Sequence, residues 1–281
     1  MLQTLSLFRI DNPEAAADTA RKITEWIRKY FETTGGTHAV LGMSGGKDST
    51  ICAKLLVDAL GPDRVIGVFM PNWGQADLSD ALDAAKAAGL TRTMMLDIGG
   101  AYDAVVNGLA IAGTEIDCTR RAGINLAPRL RMVHLYAVAQ SFVDGRVCCT
   151  GNLSEAMVGY CTLYGDLAGD FAPLAGLFKE DVCLLGKALG LPERLVDKVP
   201  SDGLSGLTDE DNLGFTYGDI RKYFLGEMDM TSELAGRIAA KMSSARFKMD
   251  MVRIPRWMPE MTEPEVPSVV TYTTSAEGGQ L

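Results

Sequence analysis

A short apolar run that breaks into glycines and hydroxyls sets the tightest limit on this fold. Val40-Leu41-Gly42-Met43 gives way to Ser44-Gly45-Gly46-Lys47-Asp48-Ser49-Thr50, and Ile51, Leu55 and Leu56 then recur at helical spacing. A strand, a tight glycine turn and a helix, in that order, open a strand–helix–strand unit of a parallel sheet. The turn of such a unit lies at the carboxyl edge, where open α/β sheets bind ligands. Gly45 and Gly46 remove side chains, so backbone N–H groups can face an anion. The following helix N-terminus adds positive potential, Lys47 a full charge, and Ser44 and Ser49 hydroxyl donors.

The details narrow the kind of phosphate site. Asp48 follows Lys47, so the loop is not the Walker pattern that needs Ser or Thr there. It also lacks the dinucleotide pattern of spaced glycines. A carboxylate beside phosphates is repulsive unless a cation intervenes, so Asp48 reads as a magnesium ligand. The plainer reading makes Gly45-Gly46 a turn and Asp48 a helix cap.

Downstream the chain keeps the same rhythm. The pattern predicts helices over Ala15–Tyr30, Ser49–Leu60 and Asp77–Ala88, and strands over His38–Met43, Val65–Met70 and Thr91–Ile98. Pro128 is placed in the first turn of a long helix ending near Val143, before a fourth strand over Arg146–Thr150. Further helices are predicted near Lys179–Leu189, Tyr217–Leu225 and Ser232–Met242. The expected fold class is α/β: a doubly wound open parallel sheet with helices on both faces. Residues 1–260 read as one domain, and 261–281, rich in Pro, Thr, Glu and Gly, as a loosely ordered tail.

Composition limits the partners. The net charge of −9 over 281 residues argues against a broad nucleic-acid footprint. No apolar run approaches the ~20 residues of a membrane span, and the N-terminus lacks a basic leader. The six cysteines form no C-x-x-C pair and read as reduced thiols of a cytoplasmic protein.

A second constellation follows the fourth strand: Thr150-Gly151-Asn152-Leu153-Ser154-Glu155. It too opens at the carboxyl edge, which places Glu155 to share a cation with Asp48. Later come Thr162-Leu163-Tyr164-Gly165-Asp166, with Asp170 and Lys179, and then Thr208-Asp209-Glu210-Asp211-Asn212-Leu213-Gly214-Phe215-Thr216-Tyr217. The loop alone resembles the pyrophosphate loop of ATP pyrophosphatases. The motifs together, in this order, resemble the NAD synthetases from the first helix to about Arg256.

That resemblance implies an adenine nucleotide alpha-hydrolase-like, Rossmann-like fold and the ATP-dependent amidation of nicotinic acid adenine dinucleotide (deamido-NAD). The reaction passes through an adenylylated carboxylate and releases AMP and pyrophosphate. The resemblance places ATP on Gly42, Met43, Ser44, Gly45, Gly46, Lys47, Asp48 and Ser49, with Thr150, Lys179 and Ser201 as further contacts. Lys47, Asp48 and Lys179 are the expected catalytic residues, Asp48 and Glu155 the expected Mg²⁺ ligands, and Arg129, Asp170 and Lys248 the expected substrate contacts. A homodimer with the dinucleotide at the subunit interface is also implied. The chain departs from many ammonia-dependent members at Leu163, where they carry lysine, and at Phe247-Lys248, where they carry His-Lys. Leu163 resembles glutamine-dependent members and a subset of short ammonia-dependent ones. The segment before the first strand leaves no room for an amidase domain, so free ammonia is the expected nitrogen donor; a separate glutaminase partner stays open.

Other residues read as structural. His38 sits in a strand lead-in, His134 on a helix beside apolar residues, and Cys148-Cys149 in a strand. Trp26 and Trp73 fit a core or an interface equally. Asp209-Glu210-Asp211 fits a solvated helix cap as well as a site. The segments Trp73–Leu78 and Ser201–Asn212 are candidates for loops that close over bound nucleotide.

Overall fold

The computed structural model describes residues 10–74, 78–113, 121–198 and 208–249. The first half runs α1 (Pro13–Thr34), β1 (Ala39–Gly42), α2 (Lys47–Leu60), β2 (Val65–Phe69), α3 (Leu78–Ala87), β3 (Arg92–Met95), α4 (Gly99–Ile111) and α5 (Arg121–Gln140). The second runs β4 (Arg146–Val147), α6 (Leu153–Val158), α7 (Lys179–Ala188), α8 (Glu193–Val196), α9 (Asp209–Leu213), α10 (Tyr217–Leu225) and α11 (Glu233–Met249).

The strands form a parallel sheet in the order β3-β2-β1-β4. Val40 pairs with Ile66 on one side and Val147 on the other. The order reverses at β1, with the chain stepping outward through β2 and β3 before α4 and α5 carry it back to β4. Ligands of such sheets bind at that reversal. Side chains alternate across the two faces as the strand period demands. Ala39, Leu41, Val65 and Phe69 join a core with α1, α2, α3 and α7, whereas Val40, Ile66, Val68 and Val147 join a second core with α4 and α5. The sheet is therefore doubly wound, as expected from the unbroken apolar run of β2.

Helix ends follow local chemistry. Asn12 accepts from Ala15 N at 2.8 Å, Pro13 presets the first turn, and Gly35 closes α1 in the left-handed conformation at φ 68. These signals extend α1 beyond the periodic stretch at both ends. Buried Ala16, Ala20, Ile23, Ile27 and Phe31 form its inward stripe.

Several expectations need correction. Pro128 lies inside α5, well past its first turn. The regular part of the fourth strand ends at Val147, because the chain then bridges Cys148 to Phe171. β3 is an edge strand with Met94 and Met95 exposed. Helix α4 was not anticipated: Ile98 gives it no side-chain cap, and only Gly99 on it is buried. The expected tail lies outside the described residues.

A third apolar cluster, with Val158, Leu213, Phe215, Tyr217, Ile220 and Ile238, joins α6, α9, α10 and α11. Arg221 ties it to the sheet layers through Asp181 on α7, at 3.3 Å.

Candidate active site

The glycine loop turns directly off β1. Met43 N still donates to Val68 O at 2.9 Å, so the sheet register holds to the start of the turn. Gly45 adopts φ 77, which a side chain would oppose. The Gly46 carbonyl accepts from Ser49 Oγ at 3.0 Å and Thr50 Oγ1 at 2.8 Å, while Ser44 Oγ and Ser49 Oγ lie 3.1 Å apart. Gly46 is also the N-cap of α2 and has no side chain to offer its first N–H groups. A helix whose N-terminus is left uncapped beside a glycine turn is suited to an anion. Lys47 is buried, with Nζ 3.5 Å from Cys183 Sγ on α7.

Three helix N-termini supply the charged centre. Asp48 lies in the first turn of α2, Glu155 in the first turn of α6, and Lys179 opens α7. Lys179 Nζ is 2.8 Å from Asp48 Oδ2 and 2.6 Å from Glu155 Oε1, and all three side chains are largely buried. Asn152 builds the α6 end: its side chain accepts from Glu155 N, and Glu155 reaches back to Asn152 N. Ser154 Oγ accepts from Lys179 N at 3.1 Å and Leu153 N donates to Leu177 O at 2.9 Å, locking α6 to α7. Burial pushes the Glu155 carboxyl up to about 7, against the opposing pull of Lys179. Burial also disfavours the Lys179 ammonium, but the Asp48 and Glu155 charges outweigh it and hold the group above the ordinary lysine range. Asp48 Oδ1 is buried and has no hydrogen-bond partner.

The acidic run near residue 210 divides by role. Asp211 caps α9 with Thr208, as a solvated cap would. Asp209 is buried and accepts from Tyr217 Oη at 3.0 Å, and Glu210 Oε1 accepts from Tyr217 N at 2.9 Å. The Tyr217 ring centroid lies 5.2 Å from Lys179 Nζ. The sequence leaves Asp209 open between a solvated cap and a site and assigns Tyr217 no role, although their shared motif is visible.

The expected substrate residues hydrogen-bond to groups outside the Asp48–Lys179–Glu155 trio. Arg129 Nε donates to Leu163 O at 3.2 Å. Asp170 accepts from Val147 N at 2.7 Å and Tyr136 Oη at 3.1 Å. Lys248 Nζ donates to Gly159 O at 2.7 Å and Cys161 O at 2.6 Å, satisfying carbonyls at the end of α6. Arg131 turns inward to Met70 O at 3.0 Å, and burial pulls its guanidinium below the usual arginine range. Thr150 follows β4 at the carboxyl edge, and Ser201 lies outside the described residues.

Trp73 is a further unexpected feature of that edge. It follows β2 with φ 56, rare for a bulky residue, and is 69% exposed. Its indole donates to Asp103 Oδ2 at 2.9 Å and lies over Gly99, where a Cβ would approach the ring to 2.6 Å. Residues 75–77 and 201–207 of the two candidate closing loops are not among the described residues. Both histidines have local partners. His38 stacks on Phe142 at 4.5 Å, and His134 Nδ1 bonds Leu130 O at 2.7 Å within its own helix.

Known proteins share this arrangement of elements. The family model for NAD synthase matches residues 19–253. The NH(3)-dependent NAD(+) synthetase of Finegoldia magna is 38% identical over 221 residues, covering 77% of this chain and 88% of that protein. That of Methanopyrus kandleri is 35% identical and covers 92% of this chain and 95% of its own. The solved NMN synthetase from Francisella tularensis superimposes with a TM-score of 0.77 at 31% identity, over 88% of this chain and 100% of that one. The doubly wound sheet is thus the adenine nucleotide alpha-hydrolase-like fold of these enzymes. With a match reaching from α1 past the end of α11, the chain belongs to the NAD synthase family of ligases.

Proposed function

We propose that this protein amidates deamido-NAD with ammonia at the expense of ATP, giving NAD, AMP and pyrophosphate. The observation that carries the reading is the Asp48–Lys179–Glu155 centre beside the uncapped N-terminus of α2. A carboxylate does not react with ammonia in water, because oxide would have to leave. Attack of the substrate carboxylate on the α-phosphate makes that oxygen part of AMP and frees pyrophosphate. Ammonia then attacks the acyl carbon, AMP leaves with the bonding pair, and the nitrogen gives up one proton to solvent. The α2 N–H groups and Lys47 hold the phosphates, and Lys179 balances the charge that grows on pyrophosphate. No protein nucleophile is needed. Arg129, Asp170 and Lys248 are proposed dinucleotide contacts, which requires substrate to exchange for their present partners.

Magnesium fits the residues. Asp48 and Glu155 offer oxygen ligands, one of which, Asp48 Oδ1, is buried and unpartnered. Among the described residues no third His, Cys, Asp or Glu joins them. That suits Mg²⁺, which keeps waters and takes its remaining ligands from substrate phosphates. When bound, the ion supplies charge neutralisation for the phosphates.

A second reading concerns the substrate. The likeness to an NMN synthetase favours a smaller acid, the mononucleotide counterpart of deamido-NAD. One assay tests both: pure protein with MgATP and ammonium, offered each acid separately, with AMP and amide product measured. Stoichiometric NAD and AMP from the dinucleotide, at the higher kcat/KM, is the expected result. Amide from the mononucleotide alone would transfer the reading to that substrate, and AMP with neither amide would leave only the ATP chemistry.

The protein is also proposed to be a cytoplasmic homodimer. Among the described residues no helix is long and apolar enough to cross a membrane. Val105 and Ile111 on α4, and Ile124 and Val133 on α5, are exposed. A further copy of the chain is the proposed cover for the Val133 side of α5. Val133→Asp, at a residue 53% exposed, is expected to leave the fold intact and shift the particle to monomer in sedimentation. A wild-type monomer at micromolar concentration would remove the proposal.

A further inference from the structure

We propose that Tyr217 is a positioning residue for Lys179, so that the Thr208–Tyr217 segment acts on the reaction through that ammonium. The inference rests on the synthetase reading above and names a part of the site beyond it.

Lysine carries its charge on a flexible four-carbon stem with three donors. Two directions of Lys179 Nζ are taken by Asp48 and Glu155, at 2.8 and 2.6 Å. The ammonium also lies over the Tyr217 ring, 5.2 Å from its centroid and within cation–π range. Both the ring and Lys179 are buried, so water screens little of that attraction. The ring is itself fixed at two ends: Asp209 Oδ2 accepts from its hydroxyl at 3.0 Å and Glu210 Oε1 accepts from its backbone N at 2.9 Å. Burial and the nearby Glu155 and Asp209 charges keep the phenol neutral, so it does not compete as a third anion. An ammonium held this way keeps one location when the carboxylates exchange partners during turnover. Tyr217 also packs in the third apolar cluster, so the alternative is that it only fills the core.

Steady-state kinetics with unfolding curves separate the two. Tyr217→Leu is expected to lower kcat about 10- to 30-fold, counted per folded enzyme, with KM for deamido-NAD changed less than about 2-fold. Tyr217→Phe, which keeps the ring and loses the Asp209 anchor, should fall between it and wild type. It preserves the test should the leucine variant not fold. In a Lys179→Ala background, with AMP detected radiochemically, Tyr217→Leu should add less than about 2-fold, because the residue it positions is gone. Normal kcat in both Tyr217 variants with only lowered stability would overturn the proposal alone. So would effects of Tyr217→Leu and Lys179→Ala that multiply. Normal turnover in Lys179→Ala would overturn the proposal and the reading of the site together.

Discussion

Glu155→Gln is expected to lower kcat/KM by at least about 10³-fold while leaving the protein folded, because it removes one of two carboxylates available to a cation and to Lys179. Glutamine keeps the volume and can still accept from the ammonium, so the α6–α7 junction survives. The change in unfolding free energy is small because two effects oppose. A charge-assisted bond of about 1.5–3 kcal/mol is weakened, and a carboxylate that burial holds near 7 is no longer forced to ionise. The pH dependence gives an independent check. Glu155 titrates near 7 in the folded protein against 4.5 when unperturbed. Between those values the folded state keeps a proton that the unfolded state has released. The stability due to this group therefore falls as pH rises from about 4.5 through about 7, then levels off. Lys179 stays charged throughout and adds no slope in that window. In metal-free buffer the variant should thus gain on wild type between pH 5 and pH 8. Near-normal turnover would remove the carboxylate assignment, and a stability difference flat in pH would remove the account of its burial.

The legible part of this protein is the part written in local pattern. The glycine loop and the apolar runs of β1 and β2 carry their own period and breakers, and they fix the sheet and the place of its ligand edge. Asp48 and Glu155 lie in the first turns of helices that follow β1 and β4, so topology brings them to one edge, whereas Lys179 rests on the resemblance; the structure joins all three. What stayed hidden depends on contacts between distant segments. Nothing in the run Asp209-Glu210-Asp211 says that only Asp211 is a cap, since the distinction lies in Tyr217 folding back onto its neighbours. Arg129 and Arg131 look alike in sequence, yet their places on α5 send one outward to the Leu163 carbonyl and the other inward to that of Met70. Helix α4 escaped notice because it has neither a capping side chain nor a buried stripe to give it a period. Trp73 owes its position to Gly99 and Asp103, which no spacing rule connects to it.

Lys179→Ala should destabilise the metal-free protein by about 3–5 kcal/mol, the cost of leaving buried carboxylates without their counter-charge. The magnitude follows from the burial of all three side chains and from the two short contacts that one ammonium supplies. Activity should fall at least about 100-fold as well, since the charge that grows on pyrophosphate loses its cation. The informative measurement is the response of the folded protein to Mg²⁺. In wild type, Lys179 already balances Asp48 and Glu155, so added Mg²⁺ without ATP should stabilise it little. In the alanine variant Glu155, which burial already holds near 7, loses the ammonium that opposes that shift and takes up a proton, and Asp48 Oδ1 has no partner to begin with. A divalent cation is then the natural replacement, and tens of millimolar Mg²⁺ should return about 1 kcal/mol. Denaturant unfolding of both proteins, with Mg²⁺ or with chelator, gives the comparison. An equal response in the two would mean that these carboxylates are not where the cation is held, and a loss below about 1 kcal/mol in the variant would mean that the buried centre is not charged as described.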